Sequence, residues 1–457
     1  MTGKKNDVKA PAAPRPVVGQ APPWAFPVPH IQELSCGARL VTYSVPGQHV
    51  LSLRVAVEAP LAAEPRGREG VGTLMARTLD EGSRRYDAEQ TAEMLERRGV
   101  ALGAGVGERG LVLDLDVARG NLAGALELLT EVLIHPVFPE QQVRRHIRSR
   151  LADIEQDRAH PGQRAAIAFA DAYYHRSDRL SLPTGGTAES VHQLTREDIA
   201  AYHQAVVCPG NATVVVAGDL TGVDVAGLID DALSGWSTPS RVAAAPSTPT
   251  RLGGSRVVLV DRPGSVQSEL YVGCAGPDRT VAGGWAPYPV LGHLIGGGPQ
   301  ARIDAVLRED KGYTYGIRCG FRPRRGEGLF IASGSVRTEV TAESVDLLLG
   351  ILEEAREGFT TAEVVSGVDY LCHTAPGRFA TADAVADEAS ARALEGLTTE
   401  HTTQVLRDTR ELTPERLRHA YQTYVDGTWT SVIVGDAEAL AGPLAALGRG
   451  SVTVIDS

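Results

Sequence analysis

Two strand-like stretches recur in this sequence at one fixed separation, and that repetition limits the folds open to the chain more than any other feature. Leu40 to Pro60 matches Val257 to Pro277: Pro46, Gly47, Leu53, Val55 and Pro60 return as Pro263, Gly264, Leu270, Val272 and Pro277. Far downstream, the run Thr213 to Asp219 returns as Thr430 to Asp436 at the same offset of 217 positions (263 against 46, 436 against 219). Chance matches do not hold one offset across two separated segments. The chain is therefore expected to be two copies of one domain, 30–238 and 251–457, with a linker at 239–250 whose Ala243 to Thr250 end is rich in alanine, proline, serine and threonine.

Within a copy, the order reads as strands, helices, strands, helix, strand. Leu111, Leu113 and Leu115 alternate with Val112, Asp114 and Asp116, the period-two pattern of a half-buried strand. Leu122, Leu126, Leu129 and Leu133 fall at helical spacing until His135-Pro136 stops them, and Val143, Ile147, Leu151 and Ile154 stripe a second helix. Such stripes are core. Strands and helices mixed without regular alternation predict an α+β fold, each domain a mostly antiparallel sheet with helices packed on one side.

Composition excludes several classes of function. A formal charge of −11 argues against a nucleic-acid or anionic-membrane partner, since both reward a basic surface. No apolar run approaches the roughly 18 residues that a membrane span needs. Cys36, Cys208, Cys274, Cys319 and Cys372 are odd in number and form no Cys-x-x-Cys pair, so neither a disulfide framework nor a thiolate metal site is indicated. Residues 1–29 are rich in proline and alanine and carry no apolar stretch of the secretory kind. They are expected to form a disordered tail on a cytoplasmic protein.

Gly70 to Ser83 (GVGTLMARTLDEGS) resembles the zinc-helix segment of the pitrilysin (insulinase, mitochondrial processing peptidase) family of metallopeptidases. In that family an inverted His-x-x-Glu-His motif lies between a Gly-rich start and a Gly-Thr or Gly-Ser end. Histidines at i and i+4 share a helix face and bind zinc, and the intervening glutamate polarises the attacking water. The matching positions here are Thr73, Ala76 and Arg77, so both histidines and the base are missing. The family's third ligand is a glutamate on a later helix, and Asp153 stands at the corresponding place. One carboxylate cannot hold zinc, and no His-x-His or His-x-x-x-His offers a replacement site. No metal is expected in this chain. Arg77 and Asp153 are expected to pair, the guanidinium standing where the cation would be.

The second copy keeps more of the family's chemistry. Leu294 to Gly316 (LIGGGPQARIDAVLREDKGYTYG) is similar to the second conserved segment of these peptidases, a Gly-rich loop followed by Ser-Arg-Leu, Leu-Arg-Glu and Gly-x-x-Tyr. Ala301 and Ile303 replace the usual serine and leucine. The resemblance makes Arg308 and Tyr315 the family's substrate-clamping pair, and Gly296, Gly297 and Gly298 its substrate-contacting loop, here so short that a tight turn into the helix is the better expectation. The helix 300–310 is expected to end at Gly312, with a strand from Thr314 aiming Tyr315 back toward it. A phenol can donate to the oxyanion of a tetrahedral intermediate while a guanidinium holds the carbonyl in register.

Taken together, the resemblance implies a non-zinc, substrate-binding subunit of a heterodimeric peptidase, inactive alone. It would supply Arg308 and Tyr315 in trans to a homologous zinc-bearing partner, across an extended peptide added to a sheet edge. The alternative is a catalytically inert structural or peptide-binding subunit of the same fold, like the core proteins of the respiratory bc1 complex.

Overall fold

Branched aliphatic runs closed by Pro-Gly turns build the same sheet twice. The computed structural model describes residues 19–237 and 251–456, so the expected linker and residues 1–18 of the expected tail lie outside the described residues. The first sheet holds β1 (His30–Glu33), β2 (Arg39–Ser44), β3 (Val50–Glu58), β4 (Val100–Gly107), β5 (Gly110–Ala118) and β6 (Ala212–Gly218), in the order β1-β2-β6-β3-β5-β4. The second holds β7 (Arg256–Asp261), β8 (Gln267–Gly276), β9 (Arg318–Arg322), β10 (Gly328–Arg337), β11 (Thr430–Gly435) and β12 (Ser451–Ile455), in the order β12-β7-β11-β8-β10-β9. β7 begins and ends 217 positions after β2 (256 against 39, 261 against 44). Both sheets are mixed: β2–β6 is parallel in the first, β7–β11 and β7–β12 in the second, and the other pairings are antiparallel. The copies differ at one edge. The N-terminal β1 runs antiparallel to β2, whereas the equivalent place beside β7 is taken by the C-terminal β12, running parallel.

The repeated segments found in the sequence meet in space, in both copies. Gly47 and Gly264 sit at φ 82° and 73°, the left-handed region that only glycine enters freely. The Gly47 N–H donates to Asp219 Oδ2 at 3.2 Å, and the Gly264 N–H to Asp436 Oδ2 at 2.8 Å. The aspartate after each repeated strand therefore ties down the Pro-Gly turn of the other repeated segment. Hydrogen bonds from Thr221 and Gly47 hold the Asp219 carboxyl down at about 2.

One face of each sheet is covered by helices of its own domain. Leu51, Leu53, Val55 and Val57 of β3 and Leu111, Leu113, Leu115 and Val117 of β5 join a core with the helices Val71–Thr78, Leu122–Ile134 and Glu140–Ala159. The other face, expected to lack helices, is covered by a helix from the opposite domain. Pro161–Tyr173 of the first domain lays Ala165, Ala168, Phe169 and Tyr173 on Val258, Val260, Ile331, Val432 and Val434 of the second sheet. Reciprocally, Ala382–Leu394 of the second domain packs Val385, Ala386 and Ala389 on Val41, Tyr43, Val215 and Ala217 of the first. This exchange buries Arg54, which faces the crossing helix from β3 and binds Asp387 at 2.7 Å and Asp116 at 3.1 Å.

The tail expectation is corrected for residues 19–29, which pack across the two domains. Trp24 stacks on Phe379 with centroids 5.6 Å apart, and Phe26 meets Tyr43 and Phe379 edge-on. The Phe26 N–H donates to Thr403 Oγ1 at 3.1 Å, and Arg410 donates to the Ala21 and Pro22 carbonyls. Proline and alanine dominate the first part of the segment, but two aromatic rings in its last part find an apolar seat, and ring burial outweighs the ordering entropy.

Candidate functional site

The helix Val71–Thr78 owes its position to a buried anchor that sequence inspection missed. Glu64 accepts from the Gly70 and Gly72 N–H groups at 3.2 and 3.0 Å, placing a carboxylate at the helix N-terminus. Arg179 Nη2 lies 2.7 Å from it, and both side chains are nearly inaccessible. Burial pushes the Glu64 carboxyl up, against the downward pull of Arg179 and the two amides. Gly70 is required here: it sits at φ 94°, and a methyl group on it would stand 2.6 Å from the Gly185 carbonyl oxygen.

On this helix Thr73 approaches the Thr184 carbonyl at 3.5 Å, Ala76 is buried, and Arg77 reaches the helix Glu140–Ala159. Arg77 Nη1 donates to Asp153 Oδ2 at 2.6 Å, the pairing that the sequence implies. The pair is not buried: its side chains are 36% and 37% exposed. Solvent screens it, so a double-mutant cycle on Arg77→Ala and Asp153→Ala should give a coupling of only about 0.2–1 kcal/mol by urea unfolding. A coupling of several kcal/mol would mean that the pair is desolvated.

The donor set does not fit zinc. A methyl group and a guanidinium stand where the base and second histidine would be, and a cation beside Asp153 would meet the Arg77 charge. Among the described residues no three His, Cys, Asp or Glu side chains gather as a metal site. The purified chain is expected to contain no stoichiometric zinc by elemental analysis; about one zinc per chain would overturn this.

The second copy answers the first at the same place. His293 and Tyr370 lie 217 positions after Ala76 and Asp153 (293 against 76, 370 against 153), and their rings stack with centroids 4.0 Å apart. The same two helices are thus bridged by an ion pair in one copy and by stacked rings in the other. The repeat offset held that signal. Beside the stack, Trp285, Tyr288, Phe321 and Gly297 line a cavity of about 380 Å³ against β9, the edge strand of the second sheet.

The glycine segment is not a turn into a helix. The helix Pro287–Gly292 continues through His293–Gly297 with π-type winding, and only Gly298 is extended. A methyl group on Gly296 would stand 2.8 Å from Cys319 Sγ, and one on Gly298 2.9 Å from the His293 ring. These glycines allow close packing, and of the three Gly297 lines the cavity.

Arg308 and Tyr315 lie on either side of a chain reversal. Asp304–Asp310 is also wound as a π-helix and ends with Gly312 at φ 64°, whose N–H donates to the Arg308 carbonyl at 3.2 Å. The strand expected from Thr314 starts only at Arg318, because Thr314 Oγ1 donates to the Ser335 carbonyl and Gly316 turns the chain again. Arg308 makes long ion pairs, 3.8 Å to Asp304 and 3.5 Å to Glu309. Tyr315 is 96% exposed and hydrogen-bonds to no described residue. It neither packs on the sheet nor hydrogen-bonds to Arg308.

Known proteins share this fold. Residues 39–187 match the family model described as Insulinase (Peptidase family M16), and residues 193–370 match the one described as Peptidase M16 inactive domain. An uncharacterized zinc protease of Mycobacterium tuberculosis is 25% identical over 346 residues, covering 75% of this chain and 78% of that protein. A non-peptidase homolog of Helicobacter pylori is 23% identical over 312 residues, 68% of this chain and 71% of that protein. The crystal structure of a peptidase M16 inactive domain from Pseudomonas fluorescens superposes with a TM-score of 0.82 at 22% identity, covering 90% of this chain and 98% of that one.

Proposed function

Because this chain belongs to the insulinase family of peptidases, M16, and lacks the family's zinc-binding residues, we propose that it is the zinc-less subunit of a two-chain peptidase. A zinc-bearing homologous chain would carry the metal and the water, and this chain would contribute substrate contacts from Arg308 and Tyr315. The observation that carries this reading is the contrast between the two domains. At the metal position the Arg77–Asp153 pair leaves no ligand set, while Tyr315 is held fully open to solvent on a structured turn.

The extended peptide that such an enzyme would cut has a place to dock. Among the described residues, β4 and β9 each end their sheet with one hydrogen-bonding edge unpaired, and an added strand would be held through its backbone. The aromatic-lined cavity beside β9 would then take a substrate side chain. Among the described residues all five cysteines are free thiols, and no helix is long and apolar enough to cross a membrane; a reducing, cytoplasmic setting is part of the proposal.

The test is copurification with a homologous chain that has an intact His-x-x-Glu-His, followed by a peptidase assay with and without a zinc chelator. Activity that needs both chains and is abolished by chelation supports the proposal. A partner fully active by itself would leave this chain the role of a structural or peptide-binding subunit.

A further inference from the structure

Residues 304–318 fold around one buried carboxylate. Asp304 has no exposed surface; its Oδ2 accepts from Arg318 Nη1 at 2.7 Å and lies 3.8 Å from Arg308 Nη1. Its Oδ1 is buried with no hydrogen-bond partner among the described residues, so the attraction of this carboxylate is directed at the two guanidiniums. Arg308 is one helical turn beyond Asp304, and Arg318 is the first residue of β9. One side chain therefore ties the end of the helix to the start of the edge strand.

The turn between these arginines carries Tyr315, and its neighbours on both sides are fixed. Thr314 Oγ1 donates to the Ser335 carbonyl at 2.7 Å and accepts from the Gly316 N–H at 2.9 Å. The Arg318 guanidinium lies over Gly316, where a methyl group would stand 3.2 Å from Nη2. On the other side, Gly334 of β10 leaves room for the turn: a methyl group there would stand 2.6 Å from the Gly316 carbonyl oxygen. An exposed phenol on a turn pinned at both flanks is open to another molecule, and the backbone share of the ordering cost is already met.

We propose that Asp304 and Arg318 are positioning residues for the Arg308–Tyr315 pair. Asp304 draws on the Arg308 guanidinium from 3.8 Å; Arg318, hydrogen-bonded to the same carboxylate, lies over Gly316 and braces the turn that presents Tyr315. This rests on the reading of Arg308 and Tyr315 as substrate contacts. Arg318→Ala removes the one hydrogen bond to a fully buried carboxylate among the described residues and should also lower stability, so Arg318→Lys, which keeps the charge, is its control; Asp304→Asn leaves two arginines that are 41% and 54% exposed to water.

The first measurement uses the purified full chain. Hydrogen–deuterium exchange over residues 312–318 should be faster in Arg318→Ala than in wild type, with Val257 to Gly276 unchanged; unchanged exchange at 312–318 overturns the proposal. The second uses the chain with its zinc-bearing partner and a fluorogenic peptide. Arg318→Ala should lower kcat about tenfold and move KM by less than about twofold, since Arg308 remains to bind the substrate. Arg318→Lys should restore part of the loss. Asp304→Asn should lower kcat and raise KM, because Arg308 loosens as well. In a Tyr315→Phe background, Arg318→Ala should have no further effect, as expected when one residue acts only through the other. If Tyr315→Phe slows turnover and Arg318→Ala either keeps its full loss in the Tyr315→Phe background or costs nothing in the wild-type background, the positioning role fails and the pair's role stands. If Tyr315→Phe changes nothing, both fall.

Discussion

Replacing Tyr315 by phenylalanine is expected to cut turnover of the two-chain enzyme by about ten- to a thousandfold while assembly and peptide affinity stay at wild-type levels. The change removes one hydroxyl and keeps the ring. That hydroxyl makes no hydrogen bond to any described residue, and the side chain is 96% exposed, so its removal costs the folded chain nothing. Whatever it does, it does for a bound molecule. A donor aimed at a developing oxyanion acts mainly in the transition state, which is why kcat should fall and KM should not. Arg308→Ala should behave differently, lowering kcat and raising KM, because a guanidinium on a carbonyl also binds the ground state. A structural subunit predicts wild-type turnover from both variants. Wild-type turnover by a Tyr315→Phe heterodimer of verified stoichiometry would sink the contribution in trans.

The largest effect on stability should come from Phe169→Ala, at about 3–5 kcal/mol. Phe169 belongs to the first domain by sequence and to the second by packing. Its ring stacks on Tyr173 at 5.2 Å, meets Tyr271 of β8 at 5.1 Å, and presses on Gly273, where a methyl group would stand 2.7 Å from the ring. Truncation leaves a cavity between the crossing helix and the second sheet that neither domain can close alone. Urea unfolding followed by one probe in each domain should give a single transition in wild type and two separated transitions in the variant. A loss below about 1 kcal/mol with coincident transitions would mean that the crossing helix is not what couples the domains.

Some of the site was legible and some was not, for reasons that particular residues make plain. Arg77 and Asp153 could be paired in advance because each sits at a position with a known counterpart. Glu64 and Arg179 could not, since they join segments 115 positions apart that no pattern links. Asp304 left a trace in its four-residue spacing before Arg308, but one aspartate on a helix is usually solvated, and its burial follows from the way β9 returns Arg318 to it. The strand expected at Thr314 shows the limit of local propensity. Thr, Tyr and Ile favour strands, yet the chain there is held in a turn by the hydrogen bond from Thr314 to the Ser335 carbonyl, a tertiary contact.

By itself the sequence determined that the chain is a duplication, which residues of β5 face a domain's own core, and that no zinc ligands stand at positions 73, 76 and 77. Each of these is written locally, in an offset, a period of two, or the identity of a side chain. Only the tertiary structure decided what covers the opposite faces. The alternation that buries Leu53 and Val55 says nothing of Arg54, which is buried because Ala382–Leu394 arrives from the other domain with Asp387. The same holds for Trp24 and Phe26, seated on Phe379 and Tyr43. The contacts with Phe379 and Asp387 close loops of hundreds of residues, and they form only when both sheets already exist to receive them, so no local pattern has to encode them.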